Sequence, residues 1–209
     1  MRKKLIFLGV LFFIGISSLK AETNEKQAEA FMSEIGEKVI TLLTDKSISD
    51  QERADQFREI LEAKFNVKAI GKFVLGRYWK QASKEEKERF LGLFTDTTVA
   101  SYATRFKDYT SEKFEITGSR HESDGGVTVL SRIVRTNGQP IPIDWKIFEK
   151  NGKFRIYDVI LEGISMGITQ RSEYASVIQR GGGKLQSLNK ALEQKLSSYK
   201  GIQSSNAKK

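Results

Sequence analysis

The sequence predicts an α+β fold: helices first, then a curved four-stranded antiparallel sheet, then helices again. Three observations carry that prediction. Apolar residues recur at helical spacing from Glu22 to about Phe106. After Asp108 the spacing changes to two, and the dipeptides Asn137-Gly138 and Asn151-Gly152 punctuate it as hairpin turns. From about Ile168 the helical spacing returns.

The first 21 residues read as a targeting segment. Arg2-Lys3-Lys4 precede an apolar run from Leu5 to Ile16, and Ser17, Ser18 and Ala21 follow. A charged start, a short apolar stretch and small residues make a secretory signal with cleavage expected after Ala21. The run is short for a membrane span. No Cys follows to carry a lipoprotein anchor. Export without Cys fits a bacterial periplasm. The expected mature chain is one domain over 22–200, followed by a polar tail over 201–209.

Within that domain, Phe31, Ile35, Val39, Leu42 and Leu43 mark a first helix between Glu22 and Thr44. Ser49-Asp50 offers caps for a second, carrying Phe57, Ile60 and Leu61. An apolar stretch from Phe65 to Leu75 breaks at Gly76. Ser83 to Glu86 forms a capping box, which opens a long helix bearing Phe90, Leu91, Phe94, Val99, Tyr102 and Phe106. The sheet begins with Phe114 and Ile116, and a turn spans His121 to Gly126. Val127, Val129 and Ile133 alternate in the second strand. Ile141, Ile143, Trp145 and Ile147 share one face of the third. In the fourth, Phe154, Ile156 and Ile160 alternate with Tyr157, Val159 and Leu161, which puts Asp158 on the face of Phe154 and Ile156. A helix from about Ile168 to Gln179 ends at Gly181-Gly182-Gly183, and Leu185, Leu188, Leu192, Leu196 and Tyr199 mark the last. Helices laid across the concave face of such a sheet enclose a cone-like cavity.

Composition removes much chemistry. Zero Cys excludes disulfides, thiolate metal sites and thiol nucleophiles, and one His excludes a multi-His metal site. The formal charge is +9, but residues 22–183 hold 25 basic and 25 acidic side chains. The surplus sits at the two ends, so the body lacks the overall basic character of a nucleic-acid binder, although a neutral body can hide local patches. The basic segment Lys184 to Lys209 is expected to tune docking. Gly163-Ile164-Ser165-Met166-Gly167 matches G-x-S-x-G, but the one His lies upstream in a turn and the strands meander, so the motif reads as a strand-to-helix bend. Gly181-Gly182-Gly183-Lys184 fails the phosphate-loop pattern at Ile178 and Leu185. Asp158 and Glu162 are candidate paired carboxylates. For Asp158, an ion pair with Arg171 or a place at a cavity rim is the simpler reading. No catalytic residue, metal or cofactor is expected.

Apolar residues outnumber what one small core needs. Phe73, Leu75, Phe90, Phe94, Tyr102, Ile143, Trp145, Ile156, Val159, Ile164, Met166 and Tyr174 lie on elements that should meet. Core and cavity both stay open at this point. An exported domain with a neutral body and no catalytic kit favours binding of an apolar ligand.

The stretch FNVKAIGKFVLGRYWKQAS, the later SYATRF, and FRIYDVILEGISMGITQRSEYASVIQRGG resemble the MlaC family over about residues 30–200. Gly76, Trp79, Phe90, Phe94, Tyr102 and Ala103 fit it as well. These are periplasmic phospholipid-binding components of the Mla lipid-transport ABC system, also called toluene-tolerance auxiliary proteins. The resemblance implies an NTF2-like curved sheet and a deep apolar pocket for both acyl chains of a diacyl phospholipid. The twelve residues above would line that pocket, with Asp158 and Arg171 as polar groups at its mouth or in its frame. The implied partners are an inner-membrane ABC transporter complex with its substrate-binding protein and an outer-membrane lipoprotein complex. The implied role is a contribution to outer-membrane lipid asymmetry. A hopanoid or other apolar-lipid carrier, an NTF2-like small-molecule isomerase using Asp158, and a ligand-free adaptor are the alternatives.

Overall fold

The structure is a computed structural model of the 209-residue chain; it describes residues 15–103, 112–135 and 138–206, with side chains within 24–199. Most of the expected targeting segment, Asn137, Phe106 and the last three residues therefore lie outside the described residues.

Helix α1 (Gly15–Thr44) turns into α2 (Asp50–Lys64) through a short bend. Ser49 caps α2 by accepting from the Glu52 amide at 3.1 Å, as its sequence position predicts. Arg53 is buried at the bend, where its guanidinium donates to the carbonyls of Leu42 and Asp45 and to the Asp50 carboxylate. Those contacts satisfy carbonyls that the end of α1 leaves open. α3 (Val67–Leu75) is capped by the Asn66 side chain, and Gly76 turns the chain into the short α4 (Arg77–Gln81). Gly76 has φ +51° and lies against Arg171, so only a residue without Cβ fits without strain. The capping box forms as predicted: Ser83 Oγ accepts from the Glu86 amide at 3.1 Å, and the Ser83 amide donates to Glu86 at 2.9 Å. It opens α5 (Lys84–Ala103).

The sheet is an open antiparallel meander in strand order β1-β2-β3-β4-β5. Its strands are β1 (Lys113–His121), β2 (Val127–Val134), β3 (Ile141–Lys150), β4 (Lys153–Leu161) and β5 (Ile164–Ser165). It has five strands where four are expected. The fifth is a two-residue return onto β4 through the Glu162-Gly163 turn. α6 (Met166–Arg180) follows at once, and the Gly181–Gly183 bend leads into α7 (Leu185–Asn206).

Apolar burial divides into two main clusters. One joins α1 and α2 to the sheet around Met32, Ile35, Ile60, Val129, Ile147 and Ile156. The other is all-helical, built by α3 to α7 around Leu75, Tyr78, Phe90, Phe94, Ile178 and Leu188. Ala54, Leu61 and Val99 form a small third cluster, and Phe57, Phe65 and Val67 pack against it as bridges. The helices that cover the sheet are thus α1 and α2, while the other helices form a bundle of their own.

Candidate functional site

The strand register arranges apolar side chains in rows across the covered sheet face. Val127, Ile147 and Ile156 form one row and are sealed, at 1%, 0% and 0% exposure. The next row is Val129, Trp145 and Val159; Val129 is buried and the other two are half-buried. Beyond it lie Ile116, Ser131, Ile143 and Leu161, then Phe114, Ile133 and Ile141. All of these are half-buried except Ser131. The face is closed at its Ile147 end and opens toward its Ile141 end.

A bulge decides which side chains of β4 join that face. Lys146 pairs with Asp158 and Ile147 with Ile156, which leaves Tyr157 as an extra residue. The parity of the strand therefore shifts. Val159 and Leu161 join Ile156 on the covered face, and Asp158 goes to the other side. This corrects the expectation that Asp158 shares the face of Phe154 and Ile156. Unbroken alternation would place it there, and one inserted residue reverses it.

At the open end the polar groups are satisfied. The Ser131 hydroxyl donates to the Ile143 carbonyl at 2.6 Å and accepts from the Trp145 indole N–H at 2.9 Å. That network fixes the Trp145 ring, and Phe114 meets it edge to face with ring centroids 6.3 Å apart. Between α1 and the edge strand β1, a hollow of about 350 Å³ is lined by Ser33, Glu37, Ile40, Phe114 and Ile116 among others. Its volume falls at the small end of ligand pockets. Above it α1 approaches very closely: a Cβ on Gly36 would stand 2.2 Å from the Phe114 ring.

On the opposite side of β4, Asp158 organises the start of α6. Its Oδ2 accepts from the Ser165 hydroxyl at 2.5 Å, and its Oδ1 accepts from the amides of Gly167 and Val159, each at 2.9 Å. Ser165 in turn caps α6 by accepting from the Ile168 amide at 3.0 Å. A carboxylate at a helix N-terminus is also favoured by the helix dipole. The partners of Asp158 are thus a hydroxyl and amides, and not Arg171. Arg171 extends over the Phe73 ring, 5.2 Å from its centroid, and lies against Gly76. Ser165 acts as a cap at a strand-to-helix bend, as the motif was read. His121 ends β1 and is exposed.

The twelve apolar residues singled out in the sequence do not converge on one place. Ile143, Trp145, Ile156 and Val159 share the covered sheet face. Leu75, Phe90, Phe94 and Tyr174 belong to the helical bundle, where Phe90, Phe94 and Tyr174 pack ring against ring at 5.8–6.5 Å. Burial, and secondarily the Glu173 charge, push the Tyr174 phenol well above its ordinary pKa. Met166 is half-buried at the start of α6, while Phe73, Tyr102 and Ile164 are exposed. The open end also includes Phe114, Ile116, Ile133, Ile141 and Leu161, which sequence reading placed on strands but did not assign to a site. Their signal was the shared alternation with Ile143. Among the described residues no helix is long and apolar enough to cross a membrane.

A family model described as "MlaC protein" matches residues 33–194, well over half of the chain. A protein of Haemophilus influenzae named "Intermembrane phospholipid transport system binding protein MlaC" is 26% identical over 121 residues, 56% of each chain. "Toluene tolerance protein ttg2D" of Pseudomonas putida is 22% identical over 132 residues, 63% of this chain and 61% of its own length. The matches thus span a little over half the length of these relatives. Among solved structures, a phospholipid-binding protein from Ralstonia solanacearum, in complex with a phospholipid, matches with a TM-score of 0.71 at 19% identity. The match covers 81% of this chain and 97% of that one. At that identity the likeness is one of fold.

Proposed function

The chain belongs to the MlaC family, and on that premise we propose that it is a periplasmic phospholipid carrier. It is exported by its N-terminal segment and cleaved near Ala21. It takes a diacyl phospholipid between an outer-membrane lipoprotein complex and an inner-membrane ABC transporter complex with its substrate-binding protein, and so contributes to outer-membrane lipid asymmetry. The observation that carries this reading is the apolar sheet face that is sealed at Ile147 and opens toward Ile141. The acyl chains lie on that face as α1 and α2 give way, against Ile143, Trp145 and Val159, with an NTF2-like curvature of the sheet around them. The α1–β1 hollow is where the space begins.

The physics suits a shuttle. Burying a chain of about fifteen methylenes gains roughly 12 kcal/mol over water. Two such chains would exceed the practical ceiling of noncovalent affinity, about 18–21 kcal/mol, so the pocket need capture only part of that gain. Escape into water is therefore very slow, whereas transfer into an equally apolar bilayer or partner is nearly isoenergetic. No metal, nucleotide or catalytic group of this chain is needed for that. Asp158 does not favour the isomerase alternative, since both its oxygens hold the start of α6.

A fluorescent phospholipid in donor vesicles, with quenched transfer read in acceptor vesicles, tests the reading. The protein should accelerate transfer in proportion to its concentration. Transfer no faster than in buffer would sink it.

A further inference from the structure

The body of the chain is neutral overall, but its charge is unevenly spread. α3 and α4 contain Lys68, Lys72, Arg77 and Lys80 and no acidic residue, and all four cations are exposed. Among the described residues none of them is paired with a carboxylate; Arg77 donates to the Tyr78 hydroxyl instead. Arg171 of α6 adds a fifth exposed cation, held over Phe73.

Large apolar side chains are exposed at the same place. Phe73, Ile164 and Ile168 are 44%, 59% and 63% exposed. They lie where α3 meets the start of α6: a Cβ on Gly167 would stand 3.3 Å from the Phe73 ring. Ile168 and Arg171 are three residues apart and share a helix face, while Glu173 points to the opposite side of α6. Two acids are near: exposed Glu162 in the β4–β5 turn, and Asp158, whose carboxylate is held by the Ser165 hydroxyl and the Gly167 amide. The isoleucines gain nothing for the fold by standing in water, and the cations have no carboxylate to satisfy them.

We propose that this surface, Phe73, Ile164 and Ile168 with Arg171 beside them and Lys68, Lys72 and Arg77 on the adjoining α3 and α4, docks the protein on an anionic lipid bilayer. Apolar side chains set among cations fit the headgroup boundary: the chains enter the acyl edge while the cations meet the phosphates. The cations of α3, α4 and Arg171 outnumber the two nearby acids, Glu162 and the Asp158 carboxylate that caps α6, so the surplus is positive and complementary to anionic lipid. The two isoleucines are more than half exposed, so their side chains are free to enter the acyl edge. The proposal goes beyond carriage of lipid and rests on that reading only in that a carrier must reach a lipid source.

The test is flotation of the mature protein with vesicles of phosphatidylethanolamine and phosphatidylglycerol, beside vesicles of phosphatidylcholine alone. Binding should be selective for the anionic vesicles and fall as salt rises. Lys72→Glu and Lys68→Glu should each weaken it about fivefold or more, and Ile168→Ser should weaken it at both salt levels. All three residues are exposed, so thermal unfolding should be unchanged. Lys195→Glu on α7 is the comparison. Equal binding to both vesicle types, or loss with Lys195→Glu but not with the surface variants, would overturn the proposal. So would a surface whose variants leave vesicle binding intact and abolish capture by a purified protein partner. Copurified lipid is measured on the same samples. If it is absent while selective flotation persists, the carrier reading fails and the docking surface stands.

Discussion

Replacing Asp158 with Ala removes the acceptor for two hydrogen bonds at the start of α6, from the Ser165 hydroxyl and the Gly167 amide, and for one within β4, from the Val159 amide. A hydrogen bond to a charged group contributes about 1.5–3 kcal/mol, and the group is half-buried here, so the three are worth less than their sum. The helix-dipole contribution adds about 0.3–1 kcal/mol. A loss of about 2–4 kcal/mol follows, which for a chain of this size lowers the melting temperature by about 5–15 °C. Asp158→Asn keeps one oxygen for the Gly167 amide but cannot accept from the Ser165 hydroxyl through its nitrogen, so it should lose about 1–2 kcal/mol. Ser165→Ala should lose about 1 kcal/mol as a cap. The double variant should then fall short of the sum, because the two side chains act as one unit. Urea unfolding followed by circular dichroism measures the four variants beside the parent. Additive losses, or an Asp158→Ala variant as stable as the parent, would refute the capping role. An Asp158→Ala protein of full stability that had lost a measurable isomerase turnover would replace it with a catalytic one.

Three further outcomes are expected. Gly36→Ala forces α1 off the Phe114 ring, and overpacking of about 1–3 kcal/mol exceeds the helix-propensity gain of about 1 kcal/mol; made in a Phe114→Ala background, which carries its own loss, Gly36→Ala should cost nothing further in thermal unfolding. The Lys146 ammonium and the Gly126 amide hold Asp124 below its ordinary pKa, so its contribution to stability is present at neutral pH and is lost as pH falls below about 4; Asp124→Asn should flatten that part of the acid unfolding profile. Burial raises the Tyr174 pKa, so stability is intact below the ordinary tyrosine value and is lost as pH rises above about 10; an alkaline titration of Tyr174→Phe should lose that slope.

Much of the secondary structure was legible because it is written in local chemistry. Ser83 with Glu86 and Ser49 before Asp50 each announce a helix start by hydrogen bonds within three residues, whereas the Ser165 cap starts α6 two residues before the helical spacing shows it. The Asn151-Gly152 turn is legible for the same reason, since it needs only positive φ at two residues. β5 was not, because Glu162 at φ +51° is not a residue that advertises such a turn. The bulge in β4 was hidden by composition. FRIYDVIL is apolar at both parities, so an extra residue at Tyr157 leaves the pattern unchanged while moving Asp158 across the sheet. The candidate site was half legible. Periodicity marks which side of an element is apolar but not which apolar sides meet. Phe90 and Trp145 therefore share one periodic signal, although they belong to separate clusters.

Lipid extraction and mass spectrometry of the protein purified from the periplasm, with Ile143→Trp and Ile156→Trp beside it, test lipid carriage on the sheet face most directly. Ile143 is half-buried at the open end and Ile156 is fully sealed. The parent should release about one diacyl phospholipid per chain. Ile143→Trp should release none while its delipidated melting temperature holds, because the new ring takes the acyl chain's space. Ile156→Trp should instead overpack the sealed row and lose about 1–3 kcal/mol or more. A parent that carries no lipid, or an Ile143→Trp protein with full lipid and a lowered melting temperature, would contradict the assignment.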